Sequence, residues 1–207
     1  MIAGSLLFVA SAGMLMGFIT GEAVYPAEYS TSENTISDLG GTLPPDSIML
    51  EPSRTIFIAT MLVAGIMILA AAFFSHRALH RRGFTIALTA FGIGVVGVGV
   101  FPGNTGTPHI LLSMVAFIGG AIAAIASRRV AEGPIRVIAV TLGVTALVST
   151  FLGIDQFVDW GPGAVLGVGG MERWIAYPVL LWMACFGGYL MGGASHARPR
   201  VRSVTTV

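Results

Sequence analysis

Six long apolar stretches alternate with polar connections along this chain of 207 residues. A helix of roughly 20 apolar residues crosses the ~30 Å hydrocarbon core of a bilayer. Each stretch is close to that length, so the pattern predicts an all-α integral membrane protein, a bundle of six transmembrane helices. The predicted spans cover about residues 2–20, 54–74, 84–101, 109–127, 135–153 and 174–191. We expect one transmembrane domain, residues 1–194, followed by a basic tail, residues 195–207.

The charges are distributed unequally between the two ends of the predicted bundle. All 11 positive residues are arginine, and nine of them lie in the connections after spans two and four or in the tail. Nine of the ten acidic residues lie in the other connections. Because arginine in short loops stays on the cytoplasmic side, we expect both termini in the cytoplasm. This places the acidic connections on the extracytoplasmic side of the cell inner (plasma) membrane.

Composition excludes several classes of site. Only 10% of residues are charged, against about 25% in soluble domains. The absence of lysine excludes a lysine Schiff base or nucleophile. A single cysteine, Cys185, excludes an intrachain disulfide and a thiolate metal cluster. The arginines are scattered beside the membrane, so we expect no nucleic-acid partner.

The first connection, residues 21–53, contains the polar sequence TSENTISDLGG. Ser30 followed by Glu33 fits a capping box, and a Gly-Gly pair can end a helix. We therefore expect a short helix over about residues 31–39, with Asn34, Ser37 and Asp38 on one face. That face could form part of a site, or it could face water on a helix lying at the interface.

The second acidic-side connection is FPGNTGTPH, residues 101–109. Thr107 suits an N-cap and Pro108 the first helical position, so His109 falls in the first turn of span four. The positive end of the helix dipole favours neutral imidazole there, which can accept a proton. Ser113 lies one turn further on the same face. The other interpretation of His109 is a purely structural hydrogen bond.

The third acidic-side connection contains Asp155 and Asp159, then the glycine-rich GPGAVLGVGG, expected to be re-entrant or to lie flat, and then Glu172 and Arg173. Glu172 is predicted to stabilise the start of span six. Arg173 is predicted to pair with Asp38, Glu172 or another acid, or to bind a phosphate or carboxylate. The candidate substrate-binding residues are Asn34, Arg173, Glu172, Asp155 and Asp159.

Three motifs together carry a family resemblance: NTISDLGG (34–41), FPGNTGTPH (101–109) and GMERWIAYPVLLW (170–182). In these motifs, and in the number of spans, the chain resembles the prokaryotic membrane proteins catalogued as domain of unknown function 998. The resemblance implies a six-helix membrane protein and brings no assigned reaction or catalytic residue.

A weaker resemblance is to the seven-span hydrolases that include alkaline ceramidases, which look built around a zinc site with three histidines. Here His76, His80 and His196 are predicted at the opposite end from His109. Three histidines therefore cannot meet, and we expect no metal and no cofactor.

Two functions remain open. The first is an enzyme of hydrolase or transferase type acting on a lipid or lipid-linked substrate, with His109 as general base, Asp38 orienting or charge-stabilising it, and Ser37 or Ser113 as nucleophile or hydrogen-bonding group. The second is a non-catalytic lipid-binding accessory subunit or assembly factor, with membrane lipids and a membrane protein or a second copy as partners. A transporter is least favoured, because no acidic residue lies near the middle of a predicted span.

Overall fold

Six long helices make up most of the computed structural model, which describes residues 2–153 and 162–196. The helices are α1 (Ile2–Ala23), α2 (Ser53–Leu79), α3 (Arg82–Val100), α4 (Thr107–Ala126), α5 (Pro134–Leu152) and α6 (Pro162–His196). Three short 3-10 turns, at Ser37–Leu39, Gly103–Thr105 and Ser127–Arg129, lie in the connections.

The helices form a closed ring. Each packs against the next along the chain, and α1 packs against α6 to complete the circle. Large side chains such as Phe57, Trp182 and Phe186 are fully buried inside it. The outer surface is apolar, with Ile86 and Val137 more than 60% exposed. Apolar side chains face inward and outward alike, as expected for a bundle surrounded by lipid.

The predicted all-α, six-span architecture is confirmed, because six helices are long and apolar enough to cross a membrane. The sixth differs from its predicted extent. It begins at Pro162, twelve residues before the predicted start, and is interrupted at Gly167 (φ 69°, ψ 173°). The glycine-rich stretch expected to be re-entrant or flat is, over its described residues, the first part of α6. The predicted basic tail lies outside the described residues from residue 197 onward.

The first connection contains less helix than expected. In place of a helix over residues 31–39 there is a turn closed by the Asn34 backbone N–H on the Ser30 carbonyl (2.7 Å), followed by the 3-10 turn Ser37–Leu39. The Asn34 side chain, rather than Glu33, accepts the Ser30 backbone N–H (2.9 Å). This local side-chain bond competes with helix formation.

Glycine allows the closest contact between neighbouring helices. On α4, Gly119 lies against the backbone of α3, where an added Cβ would stand 2.8 Å from the Phe91 nitrogen. In lipid, such close approach replaces the hydrophobic force that joins helices in water. The close contact between α3 and α4 therefore depends on glycine, which has no side chain, at position 119.

We predict that Gly119→Ala destabilises the protein by about 2 kcal/mol, because a backbone neighbour cannot move aside as a flexible side chain can. The apparent melting temperature in detergent should fall accordingly. Gly13→Ala is the matched control, since a Cβ there meets no atom within 4 Å. An equal effect of the two substitutions would contradict the packing argument.

Candidate functional site

A cavity of about 490 Å³ lies where the first two acidic connections meet helices α4, α5 and α6. We call it the polar cavity. Its polar lining includes Ser37, Asp38, His109, Ser113 and Glu172. All four residues proposed from the sequence for catalysis therefore line one space, although they come from segments about 70 residues apart.

His109 is held by both ring nitrogens. It lies in the first turn of α4, as predicted, although the N-cap is Gly106 rather than Thr107. Its Nδ1 is 2.8 Å from the Phe101 carbonyl oxygen, and its Nε2 is 3.3 Å from Ser113 Oγ. A carbonyl can only accept, so Nδ1 carries the proton and Nε2 of the neutral ring presents its lone pair to the hydroxyl. A hydroxyl beside a basic nitrogen is the arrangement that nucleophilic catalysis requires.

Asp38 does not make the hydrogen bond to His109 that an orienting role needs. Its Oδ2 accepts the backbone N–H of Thr35 at 2.8 Å. The Phe101 carbonyl occupies the position on Nδ1 where an orienting carboxylate would stand. Among the described residues, the two side chains share the polar cavity but are not joined by a hydrogen bond, which leaves charge stabilisation as the role open to Asp38.

Glu172 joins α6 to the first connection. Its Oε1 accepts the Ser37 hydroxyl at 2.6 Å. Its Oε2 accepts the backbone N–H groups of Ile36 and of Ser37, the latter at 3.3 Å. The carboxylate therefore caps the 3-10 turn Ser37–Leu39. Glu172 was predicted to stabilise the start of its own span. It lies five residues after the interruption of α6 at Gly167, and its hydrogen bonds described here go to the first connection.

Arg173, the next residue, faces the other side of the same connection. Its Nη1 donates to the carbonyl oxygens of Thr31, Asn34 and Gly169, each at 2.9 Å. Its Nη2 donates to Glu22 Oε1 at 2.5 Å and to Tyr29 Oη at 2.9 Å. Both terminal nitrogens are thus occupied, and Arg173 does not line the polar cavity. These contacts fit the predicted pairing with an acid and give no support to substrate binding by this guanidinium.

Tyr29 is the third member, with Arg173 and Glu22, of a hydrogen-bonded group that we call the clamp. Burial raises the pKa of its phenol above the ordinary value, so the hydroxyl keeps its proton. It donates that proton to the Thr35 carbonyl at 2.8 Å while accepting from Arg173. The clamp residues Glu22 and Tyr29 were missed by the sequence analysis. The signal available was an arginine on the acidic side of the membrane, which needs a carboxylate partner.

The other predicted binding residues do not contribute to the described site. The Asn34 side chain is turned back onto Ser30 and does not line the polar cavity. Asp155 and Asp159 lie outside the described residues. Within the described parts of the chain, no three His, Cys, Asp or Glu side chains are grouped so as to hold a metal ion.

We predict that Arg173→Ala lowers stability by ~3 kcal/mol, because it leaves Glu22 and three carbonyl oxygens without their buried donor. The measurement is the thermal midpoint of the purified protein in detergent. Arg54→Ala is the matched control, since the Arg54 side chain is about one-third exposed and has, among the described residues, one ion pair, 3.7 Å from Glu51. A similar fall of the thermal midpoint in both variants would show that the hydrogen bonds of Arg173 add nothing to the stability.

Comparison with known protein families finds a match over most of the chain. The family described as Protein of unknown function (DUF998) matches residues 2–189. No curated protein and no solved structure matches the chain.

Proposed function

The chain belongs to the family described as Protein of unknown function (DUF998), and from its polar cavity we propose that it is a membrane enzyme of hydrolase or transferase type acting on a lipid or lipid-linked substrate. The observation that carries the proposal is the Ser113–His109 pair. It combines a hydroxyl, a ring nitrogen with a free lone pair and a cavity large enough for a polar head group.

In the proposed reaction, Ser113 Oγ attacks an acyl carbonyl of the substrate and His109 Nε2 takes the hydroxyl proton. The imidazolium, stabilised by the nearby charge of Asp38, then returns the proton to the leaving alcohol or amine. Water (in a hydrolase) or an acceptor alcohol (in a transferase) releases the acyl group from Ser113, with His109 again acting as base. Ser37, held by Glu172, is a hydrogen-bonding group at the wall.

The charge of the cavity defines the class of head group. Its described lining contains two carboxyl groups, Asp38 and Glu172, and no arginine. Both arginines of the acidic connections are engaged elsewhere, and residues 154–161 contain neither arginine nor lysine. We therefore propose a neutral or cationic head group, in place of the anionic one that a free Arg173 would favour.

The surroundings of the cavity favour a lipid. Leu43, Ile110 and Val168 line it and are each more than 40% exposed. A smaller apolar crevice of about 50 Å³ shares Ser113 and Ser37 with it and continues between helices. In a bilayer, exposed apolar residues at such an opening face hydrocarbon. A lipid could thus place its head group beside Ser113 without leaving the membrane.

The distribution of arginine supports an extracytoplasmic cavity in the inner membrane. We predict that Asp46→Cys in a Cys185→Ser background reacts with a membrane-impermeant maleimide on intact cells. Glu132→Cys, at the other end of the bundle, should react only after the membrane is opened. The reverse labelling pattern would place the polar cavity at the cytoplasmic face of the membrane.

We predict that His109→Gln and Ser113→Ala each reduce turnover of neutral acyl lipids in nanodiscs by about 100-fold or more, because each removes one partner of the proton transfer. Ser11→Ala is the matched control: Ser11 is equally buried and bonds the Leu180 carbonyl, but lies outside the cavity. Full turnover in both site variants would eliminate this mechanism.

The alternative is a non-catalytic lipid-binding subunit. One observation favours it: Ser37, Asp38 and His109 all have hydrogen-bond partners within the protein, as structural polar groups do. Lipid that stays bound without conversion, and at equal amounts in His109→Gln, would favour this function over the enzyme.

A further inference from the structure

A second cavity, of about 570 Å³, lies at the end of the bundle opposite the polar cavity. Four arginines line it: Arg81, Arg128, Arg129 and Arg136. They come from three segments, namely the residue before α3, the 3-10 turn after α4 and the first turn of α5. We call this cavity the arginine basin.

Ser127 and Trp182, which do not line the basin, hold the turn that carries Arg128 and Arg129. Ser127 Oγ donates to the Ala124 carbonyl at 2.6 Å and accepts from the indole N–H of the fully buried Trp182 at 3.1 Å. The Ser127 carbonyl in turn accepts the backbone N–H groups of Val130 and Ala131. The Arg128–Arg129 turn is therefore fixed to α6, so a ligand would not have to order this backbone.

Within the described residues, the positive charge of the basin is only partly balanced. Among the described residues, none of the four guanidinium groups has an ion pair, and Glu132 is the one carboxyl group in the lining. Arg81 and Arg136 also stand at the N-terminal ends of α3 and α5, where the helix dipole is positive and cations are disfavoured. The orientation of a membrane protein accounts for arginines in its cytoplasmic loops. It does not require that four of them line one cavity.

We propose that the arginine basin binds a phosphate-bearing anion. Planar guanidinium groups match phosphate oxygens in pairs, and two helix N-termini add to the attraction. The phosphate could belong to an anionic lipid head group at the membrane surface or to a soluble phosphate compound. The site is separate from the polar cavity and does not depend on the proposed reaction.

The test uses the full chain in nanodiscs of phosphatidylcholine with or without phosphatidylglycerol, and native mass spectrometry to count retained phosphatidylglycerol. Inorganic pyrophosphate, added to the protein in phosphatidylcholine alone, probes the soluble source through the thermal midpoint. The basin variant is Arg129→Gln/Arg136→Gln. The control, Arg77→Gln/Arg82→Gln, removes the same charge at the same end of the bundle from residues that do not line the basin.

We expect the basin variant to bind its ligand roughly tenfold or more weakly, because each substitution removes one guanidinium that would pair with phosphate oxygens, and the control to match the parent. Loss of retained phosphatidylglycerol identifies a lipid head group, and loss of pyrophosphate stabilisation alone identifies a soluble phosphate. Equal binding by the two variants, or no binding of either probe by the parent, overturns the proposal. Arg136→Gln alone is measured in the same way if the double variant does not fold.

Discussion

Two adjacent residues of α6 hold the first connection against the bundle, and the site depends on them. Glu172 accepts backbone N–H groups from one side of that connection, and Arg173 donates to backbone carbonyl oxygens from the other. Backbone polar groups without water must be satisfied within the protein. Neighbours on a helix point about 100° apart, so one acid and one base can supply both kinds of partner to an irregular segment.

This attachment places Ser37 and Asp38 in the same cavity as His109 of α4. The first connection lies close to the backbone of α6 near the start of that helix. There the Gly169 N–H donates to the Ser32 carbonyl at 2.9 Å, and a side chain at Gly167 or Gly169 would collide with the first connection. Two glycines of the sequence before Glu172, Gly167 and Gly169, are thus explained by close backbone contact. A longer side chain there would lift the connection and open the cavity wall.

The sequence was sufficient to predict those features that one physical rule determines within a short segment of the chain. Bilayer thickness determines the length of the apolar helices, and a four-residue spacing within one helix brings Ser113 to His109. It was insufficient for the Ser37–Glu172 contact, which joins residues 135 apart and requires the helix arrangement. The bond from His109 to the Phe101 carbonyl was also missed, because backbone acceptors are the same at every residue and leave no pattern in the side chains.

The two cavities differ in the ligands their charges admit. The carboxyl groups of the polar cavity, whose described lining contains no arginine, disfavour a phosphate there, whereas the arginine basin disfavours a cationic head group. Under the two proposals, an anionic lipid bound at the basin would therefore not compete for the space beside Ser113. Anionic bilayer lipids could occupy the arginine basin permanently while a neutral or cationic substrate enters the polar cavity, because the charge of each site selects a different class of lipid.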